Sequence, residues 1–161
     1  MNALSANAPA AGARPWFDHT RIVRFAPGSY AAIHARQQEF VAQRIAGAIG
    51  DVILIGEHER VVTLGRGSKE PVGALPIPVV AIERGGQATW HGPGQLVAYP
   101  LVSLVARKRS IRAYLHQLEE AILRTVAAFG IEAQRREGAT GVWVGAQKLA
   151  SIGVAVRRFI T

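Results

Sequence analysis

Between Ser110 and Gly130 apolar residues recur at intervals of three and four, and that spacing allows one local structure. Ile111, Tyr114, Leu115, Leu118, Ile122, Val126 and Phe129 fall on one face of a helix, with Ser110 placed to cap its first turn and Gly130 to stop it. Arg112, Glu119, Glu120 and Arg124 fall on the opposite face. A second segment, Ser29–Ile49, sets Ile33, Phe40, Val41, Ile45, Ala48 and Ile49 at the same spacing, between Ser29 as cap and Gly50 as terminator.

The remaining apolar runs have strand character. Arg21–Phe25 alternates basic and apolar residues, and Asp51–Ile55 and Val61–Leu64 are β-branched runs on either side of a turn, Glu57-His58-Glu59-Arg60. Gly65-Arg66-Gly67-Ser68 is a loop, followed by strands at Ile77–Ile82 and Leu96–Leu101. Beyond the long helix, Ile131–Arg135, Gly141–Val144 and Lys148–Arg157 complete the set, the last two joined by Gly145-Ala146-Gln147. The order strand, helix, strands, helix, strands predicts an α+β domain with helices packed on a mixed, largely antiparallel sheet. No repeat or second domain is visible. Met1–Pro15, mostly Ala, Asn, Pro, Gly and Ser, has neither the positive start nor the apolar run of a secretory signal and is expected to be a disordered tail, leaving 16–161 as the domain.

Composition removes several classes. At 49% hydrophobic and 19% charged, the chain is that of a folded domain. With no cysteine it can hold no disulfide, Cys-ligated zinc or iron–sulfur cluster, and it carries no thiol nucleophile. Its longest apolar runs, such as Val52–Gly56 and Leu96–Leu101, fall far short of the ~20 residues of a membrane-spanning helix, so a soluble, cytoplasmic protein is expected. The net charge of +8 would attract an acidic partner or nucleic acid, but of the basic residues only Lys69, Lys108 and Lys148 are lysines, and coding bias toward Arg and Ala accounts for the same excess. An aromatic content of 7% without an aromatic-basic stripe makes nucleic acid the weaker partner. The five histidines are scattered: His58 falls in a turn, His34 and His116 within the helices, and no pair has metal-ligand spacing, so no metal site is expected.

Two segments carry possible chemistry. Arg84–Gln95 places Gly85, Gly86, Gly92, Gly94 and Pro93 between two apolar strands, and so long a glycine-rich loop is costly to order unless it binds something. Gly85 and Gly86 could offer amides to a carbonyl or phosphate oxygen, Arg84 positive charge, and His91 a hydrogen bond; a plain turn with a surface arginine fits the same residues. Lys148 opens the run Leu149-Ala150-Ser151-Ile152-Gly153-Val154. Partly desolvated there, its ammonium would work as an acid or base; the simpler alternative is a strand-end lysine reaching into water. Gly153, mid-strand, implies a ligand or another backbone close by, or a β-bulge.

The run Arg84-Gly85-Gly86-Gln87-Ala88-Thr89-Trp90-His91-Gly92-Pro93-Gly94-Gln95-Leu96-Val97-Ala98-Tyr99-Pro100 resembles the signature of the lipoyl (octanoyl) transferases of lipoate biosynthesis. Val62-Thr63-Leu64-Gly65-Arg66 upstream, and Gly141-Val142-Trp143-Val144 through Lys148-Leu149-Ala150-Ser151-Ile152-Gly153 downstream, agree in order and spacing. The resemblance implies a fold like the catalytic domain of biotin and lipoate protein ligases. It also implies transfer of octanoyl from acyl carrier protein to a lysine of a lipoyl domain, in 2-oxoacid dehydrogenases or glycine cleavage H protein, through a thioester on an enzyme cysteine and with no cofactor. By resemblance Arg84, Gly85, Gly86, Gln87, Ala88, Thr89, Trp90 and His91 line the acyl site, Ser151, Ile152 and Gly153 line it from the neighbouring strand, and Lys148 lowers the pKa of the nucleophilic thiol.

One departure stands out. The family's cysteine lies C-terminal to the Lys148 strand, and this chain reaches Arg157-Arg158-Phe159-Ile160-Thr161 without one. The expectation is a C-terminally truncated family member, inactive by itself. The alternatives are an ATP-dependent lipoate- or biotin-type ligase, using Arg84 and the glycines on phosphate, and a non-catalytic module that binds acidic carrier domains.

Overall fold

The computed structural model describes residues 20–68, 75–105 and 110–161, so the tail expected over residues 1–15 lies outside the described residues. Strand β1 (Arg21–Gly28) turns Val23 and Phe25 inward and leaves Ile22 and Arg24 outside. Ser29 then caps α1 (Tyr30–Ile45), its hydroxyl accepting the Ala32 amide at 3.4 Å. The helix stops short of the expected Ile49. Gly47, at φ +72°, donates to Arg44 O at 3.2 Å and Ala48 donates to Gln43 O at 3.0 Å, a Schellman closure that glycine makes without strain.

Strand β2 (Val52–His58) returns parallel to β1, Arg21 opposite Val52 and Phe25 opposite Gly56. It runs through His58, so the expected four-residue turn shrinks to Glu59-Arg60. The Phe25 ring lies over Gly56, where a methyl group would come within 2.7 Å of Phe25 Cδ2. Strand β3 (Val61–Leu64) pairs parallel with β4 (Val79–Ala81), a shorter strand than the expected Ile77–Ile82. The glycine-rich stretch is not a continuous loop. Its centre is β5 (Ala88–His91), antiparallel to β3 with Thr63 opposite Thr89 and Val62 opposite Trp90, β-formers that pair well across a ladder. Strand β6 (Val97–Leu101) closes antiparallel on β2.

Helix α2 (Ile111–Ala127) follows, capped by Ser110 and ended by Gly130 as the sequence predicts. Its faces differ from expectation: Ile111 and Phe129 are 48% and 78% exposed, while Glu119, assigned to the polar face, is buried. The hairpin strands β7 (Gln134–Arg136), β8 (Ala139–Val144) and β9 (Gln147–Ala150) form the third sheet. The fold is thus α+β, with three-stranded sheets ordered β1-β2-β6, β4-β3-β5 and β7-β8-β9, two of them mixed and the third antiparallel.

The expected strand Lys148–Arg157 ends at Ala150. Residues 151–161 instead run as a strap: Gly85 donates to Val154 O at 3.0 Å, Leu104 to Phe159 O at 2.9 Å, and Thr161 Oγ1 to Pro100 O at 2.7 Å. The hydrogen bonds that would have extended β9 go to the glycine-rich segment and to the residues after β6. One core packs α1 on the first sheet through Phe25, Ile33, Phe40, Val52, Leu54 and Leu101, and a second gathers Val102, Leu104 and Tyr114 with Leu118 and Val154. Among the described residues no helix is long and apolar enough to cross a membrane.

Candidate active site

Arg84 organises the glycine-rich segment. One terminal nitrogen donates to Gly85 O at 3.0 Å and Gln87 O at 2.8 Å, the other to Thr63 O at 3.0 Å and Thr63 Oγ1 at 2.8 Å. The guanidinium therefore pins the loop to β3, and these four bonds commit the donors of both its terminal nitrogens. Burial lowers its pKa, with Tyr30 and Tyr99 pulling the other way. Gly65 and Gly67 let the two loops touch: Arg66 donates to Arg84 O at 3.0 Å and Gly67 to Gly86 O at 2.9 Å.

The strap brings Gly153 beside Arg84 and Gly85. A methyl group at Gly153 would lie 3.0 Å from Gly85 O and 3.1 Å from Arg84 Cδ, so the missing side chain makes room for the other backbone. The Gly85 amide, expected to be open to a ligand, is committed to Val154 O. Gln87, Ala88 and Ser151 are exposed, and Thr89 and Ile152 half-buried. Trp90 is 46% exposed, its indole folded over Gly92.

His91 is fixed through both ring nitrogens. Gln95 Nε2 donates to Trp90 O at 3.1 Å, which presents Gln95 Oε1 to His91 Nδ1 at 2.6 Å, so Nδ1 carries the proton. Nε2 then faces the Thr63 hydroxyl at 3.3 Å. Burial lowers the His91 pKa, opposed by the Gln95 bond.

The sequence reading missed a cluster behind His91. His58 is fully buried, its Nε2 2.7 Å from Tyr99 Oη, and its ring lies 5.2 Å from Tyr30 and 5.8 Å from His91 between centroids. Tyr30 also stacks on His34 at 5.6 Å. His34, His58 and His91 are therefore gathered around one tyrosine, not scattered. Burial first, then the neighbouring His91, pushes His58 below its ordinary value. Burial raises Tyr30 to about 12, with Arg84 pulling it back, and raises Tyr99 further. The period-two alternation Val52, Leu54, Gly56, His58 was the available signal: it puts His58 on the same face as the core residues of β2.

Lys148 is exposed. It stands opposite Trp143 on β8, its Nζ 5.0 Å from the indole centroid, and its stem crosses Gly141, where a methyl group would lie 2.6 Å from Lys148 Cε. Arg136 Cζ lies 5.4 Å from the same ring.

Residues 29–161 match the family model of the lipoyl protein ligase A/B catalytic domain. The chain is 44% identical to the octanoyltransferase of Geobacter sulfurreducens over 88% of its own length and 60% of that protein's. It is 47% identical to the octanoyltransferase of Syntrophotalea carbinolica over 82% and 63%. The chain thus spans about 60% of the length of these relatives. Among solved structures it resembles lipoate-protein ligase A bound with ATP, with a TM-score of 0.60 at 16% identity over 81% of this chain and 58% of that one. A bi-partite lipoate protein ligase from Thermoplasma acidophilum, described with its E2 lipoyl domain as parts of an archaeal lipoylation system, gives a TM-score of 0.58 at 17% identity over 80% of this chain and 52% of that one. The match over residues 29–161 and the identity over most of its length agree: the chain belongs to the lipoyl protein ligase A/B catalytic domain family.

Proposed function

We propose that this chain provides the acyl-binding part of an octanoyltransferase of lipoate biosynthesis, working between octanoyl-acyl carrier protein and lipoyl-domain lysines. The observation that carries the reading is the meeting of the Arg84–His91 segment with Ser151–Val154 through Gly85 and Gly153, in a chain 44% identical to an octanoyltransferase. Arg84 and His91 hold the segment rigid, and the acyl group lies along it beside Ser151, Ile152 and Gly153.

In the reaction a thiolate attacks the carrier thioester, forming an acyl-enzyme and expelling the carrier's thiolate, which takes up a proton. The neutral amine of the lipoyl-domain lysine then displaces the enzyme sulfur, giving the amide, a proton and the enzyme thiolate. The Lys148 ammonium favours that thiolate and moves protons in both halves. With no cysteine among its 161 residues, this polypeptide forms no acyl-enzyme unaided.

The test mixes the chain with octanoyl-acyl carrier protein and an unmodified lipoyl domain, and follows the lipoyl domain by mass. No transfer is expected from the chain alone. Transfer is expected when the part of the Geobacter sulfurreducens octanoyltransferase that this chain does not span is added, and its loss in Lys148→Ala. Turnover by the chain alone overturns the missing-nucleophile part. No transfer after addition, together with no saturable binding of octanoyl-acyl carrier protein, overturns the whole reading.

A further inference from the structure

Glu119 is a buried carboxylate that the proposed reaction does not use, and its contacts lead to Lys148. It lies on α2, 8% exposed, with one oxygen accepting Arg135 Nε–H at 3.2 Å and facing His116 Nδ1 at 3.8 Å. Arg135 is held in turn by Glu120 at 2.8 Å and by His116 O at 3.3 Å, so the carboxylate is anchored from behind. Its other oxygen accepts the amide of Gly141 at 3.0 Å.

Gly141 is the residue that Lys148 crosses. At φ +139° and without a side chain, it leaves a trough in β8 where a methyl group would meet Ala150 O and Lys148 Cε, each at 2.6 Å, and Lys148 Nζ at 3.3 Å. The stem fills that trough, and the ammonium comes to rest over Trp143. A helix carboxylate needed only as a counter-charge for Arg135 could stand at the surface, as Glu120 does. Glu119 is buried because its second oxygen fixes the height of the trough relative to α2.

We infer that Glu119 is a positioning residue for Lys148, acting through the Gly141 amide to hold the lysine stem in register. Its value to catalysis rests on the role proposed above for Lys148; the geometry is testable without it. The full chain has three lysines, Lys69, Lys108 and Lys148, so reductive methylation with ¹³C-formaldehyde gives a spectrum with few signals, assigned by Lys148→Arg. The dimethyl-Lys148 signal is expected upfield of the other two because the indole lies beneath it, with Trp143→Leu removing that displacement. Glu119→Leu is expected to abolish it. Glu119→Gln, which keeps an acceptor for the Gly141 amide, retains it. Gly141→Ala, which fills the trough with Glu119 intact, abolishes it in a fold verified by near-ultraviolet circular dichroism, should Glu119→Leu not fold. An unchanged Lys148 signal in both Glu119→Leu and Gly141→Ala, or equal loss in Glu119→Gln, overturns the inference. If these shifts behave as stated while the supplemented chain never transfers octanoyl, the transferase reading falls and the positioning role stands.

Discussion

The Arg84 guanidinium straddles Thr63, donating to its hydroxyl at 2.8 Å and to its carbonyl at 3.0 Å. Removing it takes this donor from the oxygens of Thr63, which is fully buried on β3. Arg84→Ala is therefore expected to destabilise the fold by about 1–3 kcal/mol, read as a lower urea midpoint. Arg84→Lys recovers only part, because a point charge cannot fork between two oxygens. Combined with Thr63→Val, the losses should fall short of additive. Additivity would show that the two residues do not act as a unit.

Stability should fall with mild acid. His58 and His91 have folded-state pKa values pushed below 6.5, mainly by burial, so between those values and 6.5 the unfolded chain binds protons that the folded one does not. The contribution is complete above about pH 6.5 and is lost as pH drops through the depressed values, a window whose upper part, above about pH 5, leaves carboxylates silent. A urea midpoint that falls from about pH 6.5 to 5, and falls less in His58→Gln, is the expected result.

Gly92 should not tolerate a side chain. A methyl group there would approach Trp90 Cη2 to 2.7 Å. Gly92→Ala is expected to cost about 1–3 kcal/mol and to shift Trp90 fluorescence as the indole is forced off the loop. An unchanged emission spectrum would argue against this packing.

Phe159 offers a gain. Arg158 and Phe159 have φ values of 48° and 62° in a tight turn closed by Arg157 and Ile160, whose amides and carbonyls bond reciprocally at 2.8 and 2.9 Å. Phe159 is 64% exposed, so its side chain adds little to the core. Phe159→Gly should relieve left-handed strain and raise stability by about 1 kcal/mol, measured by thermal unfolding.

Gly153→Val should separate binding from folding. The branched side chain collides with Gly85 O and Arg84 Cδ, lifting the strap from the segment proposed to hold the acyl chain. Affinity for octanoyl-acyl carrier protein is expected to drop at least tenfold, with the α1 core intact by circular dichroism.

Helix positions were legible from sequence because capping and period are local: Ser29, Ser110 and Gly130 act as read. What escaped depended on partners distant in sequence. β5 hid among glycines because its strand character comes from pairing with β3, and Lys148–Arg157 was read as one strand because its apolar pattern does not show that Val154 O binds Gly85. Glu119 was placed outside because helical period ranks a carboxylate as polar without knowing that Gly141 and Arg135 wait on the inner face. Gly153 was marked from sequence as a position that another backbone or a ligand approaches, and the backbone that approaches is Gly85. The imidazole and tyrosine cluster was not, since His58 was judged by its charged neighbours in place of its register.

The strap has a consequence for how the chain assembles during synthesis. It touches the hairpin sheet at β9, the β3–β5 sheet through Gly85, and the β2–β6 sheet through Leu104 and Pro100. On the ribosome, where residues emerge in order, the α1 layer and the meeting of His58 with His91 can form early, but the strap's bonds to Gly85, Leu104 and Pro100 form only once residues 151–161 are out of the exit tunnel. Nascent chains arrested before that point should be cleaved by protease faster than the released chain, while the β1–α1–β2 unit survives.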